Sequence, residues 1–91
     1  MPIRIEIPAP LRELTNGKVE VPTTGSTVKE ALANLTAEYP GLKPKLFDDK
    51  GNVRQHINVF VNDEDIRYLD ELDTKLTDGI LVSLIPAVAG G

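Results

Sequence analysis

The sequence predicts an α+β roll, a mixed sheet of four to five strands with one main helix packed on one face. Three observations carry that prediction. A single segment, residues 28–39, repeats apolar side chains at spacings of three and four, the period of a helix with one buried stripe. Several shorter runs alternate apolar and polar residues, the period of half-buried strands. The last run, Ile80-Leu81-Val82-Ser83-Leu84-Ile85, is almost continuously apolar, which suits a central strand covered on much of both faces. One helix covers only one face of such a sheet, so a two-layer arrangement follows.

Ile3, Ile5 and Ile7 alternate with Arg4 and Glu6 and form the first strand, apolar at its odd positions. Pro8 and Pro10 end it, because proline has no N–H to give to a ladder. Leu11 and Leu14 dip back toward the core, Asn16-Gly17 marks a turn, and Val19 and Val21 alternate with Lys18 and Glu20 in a second strand. These strands are expected to pair as an antiparallel hairpin with a long loop. The helix opens at Thr27, whose spacing to Glu30 fits a capping box. Val28, Ala31, Leu32, Leu35 and Tyr39 line its buried stripe, and Pro40-Gly41 stops it. Leu42, Leu46 and Phe47 fit one short helical turn, and residues 48–52 a polar turn. Ile57, Val59 and Val61 make the next strand, with Asn58 and Phe60 on its opposite face. Residues 62–65 read as a turn, residues 66–68 as a short strand, and Asp78-Gly79 as the turn into the last strand, which Pro86 ends. Strand, strand, helix, further strands and a central last strand is the β-grasp order. It leaves the second sheet face open.

Composition narrows the function. The chain has 91 residues, the size of one domain, and 14 acids against 10 bases, a net charge of −4. That sign argues against nucleic acid, whose phosphates need a basic stripe. No apolar run approaches the roughly 20 residues of a membrane helix, and the alternating start is not a signal peptide. With no cysteine there is no thiolate metal site and no cysteine nucleophile. The expectation is a cytoplasmic module with no bound cofactor or metal.

Few residues could carry chemistry. His56, the only histidine, sits at a strand start, and Ser26 and Ser83 are explained by a helix start and a sheet position, so no triad is visible. Residues 63–78 hold seven acids and two bases, an acidic surface suited to solvent or to steering a basic partner. On the open sheet face, Phe60 points away from the helix, and Ser83 marks the outer side of the last strand with Leu81 and Ile85 beside it. Phe60, Leu81 and Ile85 are therefore the expected partner interface. The chain ends in Gly90-Gly91, a pairing with a chance frequency of about one in 200. Glycine lacks a Cβ, and Ala87, Val88 and Ala89 are slim, so this end could thread a narrow channel and expose the Gly91 carboxylate to an enzyme. Residues 1–86 are expected to form the domain and residues 87–91 a flexible tail, too small in side chain to offset an ordering cost of about 1–2 kcal/mol per residue.

Leu11-Arg12-Glu13-Leu14, Val61-Asn62, Leu76-Thr77-Asp78-Gly79 and above all Pro86-Ala87-Val88-Ala89-Gly90-Gly91 resemble the ubiquitin-like sulfur carrier proteins, the MoaD/ThiS/CysO family. The resemblance covers nearly the whole chain. It implies a carrier and co-substrate, not a catalyst. A partner adenylyltransferase of the MoeB/ThiF kind would use ATP on Gly91, and sulfur transfer would leave a thiocarboxylate there. The tail, the turn at residues 61–65 and the long segment 45–56 are most similar to the CysO type. That type implies a pyridoxal-phosphate cysteine synthase as sulfur acceptor, cysteine biosynthesis as the pathway and a metalloprotease as a further partner. MoaD-type chains usually carry a second proline where this one has Ala87, and an apolar residue near Asp65. A molybdopterin synthase small subunit, a carrier for thiamine or tRNA thiolation, and a ubiquitin-like modifier conjugated through Gly91 stay open as alternatives.

Overall fold

The computed structural model describes residues 2–86. Strands β1 (Ile3–Glu6), β2 (Glu20–Thr23), β3 (Ile57–Val61), β4 (Glu64–Asp65) and β5 (Leu81–Pro86) form one five-stranded sheet in the order β2-β1-β5-β3-β4. β1 runs antiparallel to β2 and parallel to β5, and β3 is antiparallel to both β5 and β4, so the sheet is mixed and its last strand is central. Helix α1 (Val28–Glu38) packs on one face, followed by a short α2 (Lys43–Leu46). The core joins Ile3, Ile5 and Ile7, Val59, Val61, Val82 and Leu84 of the sheet to Val28, Ala31, Leu32 and Leu35 of α1, with Leu42 and Leu46 closing one end.

The hairpin, the helix and the central strand are as expected, with differences in detail. Residues 9–15, expected as loop, form a 3-10 helix entered through Pro8 and Pro10. Arg12 ties it to the residue that follows β1 by donating Nε–H to the Ile7 carbonyl at 2.9 Å. Asn16 and Gly17 both take positive φ, as the turn requires. Val19 lies before β2 and is 48% exposed, so only Val21 of that pair enters the core. At the helix start, Thr27 Oγ1 accepts from the Glu30 N–H at 3.2 Å, but Glu30 reciprocates one residue earlier, accepting from the backbone and hydroxyl of Ser26. Gly25 leads into this cap at φ 153°, and a Cβ there would stand 2.7 Å from the Ala31 nitrogen.

Residues 66–68, expected as a strand, are a 3-10 turn, and the strand is Glu64–Asp65. Asn62 and Asp63 both take positive φ, so a two-residue turn returns the chain to the sheet two positions earlier than a four-residue turn would. Asp65 then caps the 3-10 turn by accepting from the Arg67 N–H. Pro86 closes β5 from inside the strand, opposite Ile57, whose own N–H bonds the Arg54 carbonyl instead.

Candidate partner-binding face

Strand register decides which side chains share the face away from α1. Residues paired across antiparallel strands project to the same side. Phe60 lies opposite Ser83 on one side and Asp65 on the other. Asn58 lies opposite Ile85, and Arg4 lies beside Leu81 in the parallel pair and opposite Pro22 in the antiparallel one. Glu6 continues the Ser83 row to Glu20. The intervening positions, Val59, Val61, Val82, Leu84 and Ile5, all face the core. The open face thus has Phe60, Leu81 and Ile85 at its centre and charged residues on both flanks. Phe60 and Leu81 are half-buried, and Ile85 is 46% exposed. The structure therefore brings the three expected interface residues onto one surface, and no described segment buries it.

The flanks differ. On the β2 side, Arg4 Nη1 meets Glu20 Oε1 at 3.3 Å, both well exposed, a surface pair of small energetic value. On the β4 side, Arg67 donates through Nε and Nη2 to both oxygens of Asp65, the closest contact being 2.9 Å, and through Nη2 to Asn58 Oδ1. The side-chain hydrogen bonds from Arg67 hold the Asp65 carboxyl below its ordinary range, and Asp65 in turn pushes the Arg67 guanidinium up. At the start of α1, the backbone and hydroxyl of Ser26 lower the Glu30 carboxyl.

The other sequence candidates occupy ordinary structural positions. His56 is exposed at the start of β3, the Ser26 hydroxyl is engaged with Glu30, and Ser83 is one sheet position among others. Among the described residues no three His, Cys, Asp or Glu side chains gather as metal ligands. A cavity of about 720 Å3 is an open groove at the β3–β4 edge that includes Arg54, Ile57, Arg67 and Leu72, away from the centre of the open face. The expected tail residues Ala87, Val88, Ala89, Gly90 and Gly91 lie outside the described residues. The described chain reaches the end of the central strand at Pro86, next to exposed Ile85. The Arg67–Asp65–Asn58 cluster has no signature in the sequence. Its members are seven and two residues apart, and only the β3–β4 register brings them together.

Comparison with known proteins supplies the family context. Residues 5–91 match the ThiS family. The chain is 38% identical to the sulfur carrier protein CysO of Mycobacterium tuberculosis over 93 aligned residues, covering all of both chains. It is 46% identical to the small archaeal modifier protein 3 of Haloferax volcanii over 66 residues, which are 72% of this chain and 71% of that one. Its fold matches a chain in the crystal structure of the Amycolatopsis orientalis BexX/CysO complex with a TM-score of 0.90 at 36% identity, covering 98% of this chain and 99% of that one.

Proposed function

The chain belongs to the ThiS family, and from that premise we propose that it carries sulfur as a thiocarboxylate on Gly91 and receives it through a partner docked on the open sheet face. It is a sulfur carrier of the CysO type, and its relatives are carriers and small modifiers, not catalysts. The observation that carries the proposal is a juxtaposition. The central strand delivers the chain toward Gly91 from the same edge at which Ile85 stands exposed beside the half-buried Phe60–Leu81 surface.

The chemistry needs little from the domain itself. An adenylyltransferase would join the Gly91 carboxylate to the α-phosphate of ATP with loss of pyrophosphate. A sulfide donor would then displace AMP and leave the thiocarboxylate. The domain contributes recognition, so that one small carboxylate is chosen from many. Its slim end, Ala87-Val88-Ala89-Gly90-Gly91, would let the enzyme's channel close around it. The CysO-type resemblance of the sequence implies a pyridoxal-phosphate cysteine synthase as the acceptor, a cytoplasmic location and cysteine biosynthesis as the destination. The Haloferax similarity favours a second reading, in which the same activated Gly91 is transferred to lysines of other proteins.

Intact mass spectrometry after incubation with ATP, an adenylyltransferase and sulfide tests this. The expected result is a gain of about 16 Da, one carboxylate oxygen replaced by sulfur. Deleting Gly91 or adding residues beyond it should abolish the gain with the fold unchanged. Isopeptide adducts on lysines would support the modifier reading. A tail-extended protein that still gained sulfur would overturn the assignment of Gly91.

A further inference from the structure

We propose that Arg67 is the specificity-determining cation of the open face, held in place by Asp65 and Asn58 so that it receives a carboxylate of the partner protein. The inference rests on the docking reading above and adds the chemistry of the partner to it. Register puts Asp65 beside Phe60 and Asn58 one pleat further along β3 on the same side, so the guanidinium bonded to both lies along the rim of the apolar centre.

Exposure gives the pair a polarity. The Asp65 side chain is 10% exposed and that of Arg67 61%, so the approaching surface meets the cation and not the anion. The cation is also fixed. Its Nε and Nη2 edge is spent on Asp65 and Asn58, and the backbone N–H of Arg67 is held by Asp65 Oδ1 at 2.9 Å. Among the described residues Nη1 has no hydrogen-bond partner, and its two N–H groups are free for an acceptor. A pre-ordered arginine beside an apolar patch has the makings of a binding hot spot, because little side-chain entropy is left to lose on association.

The surroundings make the sign informative. Arg67 is one of two bases against seven acids in residues 63–78. The acids of residues 71–73 sit on an element that packs beside α1, so on the open face the exposed guanidinium, with Asp65 turned inward, sets the sign that a partner meets. An acid opposite it fixes orientation and excludes partners that are merely basic. With Nε and Nη2 spent, Nη1 offers a carboxylate a single charge-assisted contact aimed by the fixed guanidinium plane, whereas a lysine at this position would present a point charge without that fixed direction.

The test uses a purified ThiF/MoeB-class adenylyltransferase from the same organism as the binding probe. Arg67→Ala should raise Kd and KM about tenfold with kcat unchanged, and should lower the melting temperature no more than Asp65→Asn does. Arg67→Lys should recover part of the loss. Arg67→Glu should bind more weakly than Arg67→Ala, most markedly at low salt. The proposal is overturned if Arg67→Ala and Arg67→Glu bind as wild type, or if lost affinity only tracks lost melting temperature. Phe60→Ala separates the two layers of the argument. If Phe60→Ala weakens binding and Arg67→Ala does not, the docking face stands and the role of Arg67 falls. If neither variant changes binding, both fall.

Discussion

The two faces of β5 share a backbone and an apolar sequence, and they live in different surroundings. Toward α1, Val82 and Leu84 are sealed among Ile5, Leu32 and Leu35. Away from α1, Leu81 and Ser83 are half covered and Ile85 is 46% exposed. A fully buried leucine or isoleucine contributes about 1.5–3 kcal/mol by leaving water, and an exposed one only a fraction of that. The inner face accounts for folding. Apolar residues on the outer face gain little in the isolated domain, so their presence in a charged rim calls for a partner.

Substitutions can break or sharpen that contrast. The largest effect is expected at the inner face. Leu84→Ala should cost about 2–5 kcal/mol, seen as a lowered denaturation midpoint with an unchanged slope. A cost under about 1 kcal/mol would mean that the inner face is not the core. Next comes the entry to α1. Gly25→Ala places a Cβ against the Ala31 backbone at a positive φ and should cost about 1–3 kcal/mol by the same measurement. The smallest effect concerns pH. Glu30 and Asp65 both sit below the ordinary carboxylate range. What they contribute to stability is complete above that range, near pH 4, and is lost as pH falls through their lowered values. Asp65→Asn should therefore narrow its stability gap to wild type at acid pH, measured as melting temperature against pH. A gap that stays constant down to pH 2 would contradict the bonding of Asp65 to Arg67.

Much of this contrast was legible in the sequence. The odd positions of β1 and β3 and the capping signal at Thr27 are local patterns, and period and cap chemistry act locally. The side on which Phe60 and Ile85 stand also followed, because alternation along a strand is strict. What escaped depended on distant pairing or on a turn's handedness. The Asn62–Asp63 turn uses two residues without a glycine, so its tightness, and with it the position of β4, was hidden. The 3-10 helix at residues 9–15 was masked by prolines that interrupt any period. Arg67 looked like one base in an acidic stretch, and its meaning comes from Asn58, nine residues away in sequence and adjacent only in the sheet. The expected activation site, Gly91, lies outside the described residues, and its role rests on the sequence and the family.

The central claim is that β5 folds the protein with one face and presents the other to a partner. Ile85→Ala tests it most directly, in a paired measurement of melting temperature and of Kd for the adenylyltransferase. The expected result is a stability change under about 1 kcal/mol, as for an exposed side chain, together with a clear loss of affinity. A lowered melting temperature with unchanged affinity would place Ile85 in the core's service and contradict the account.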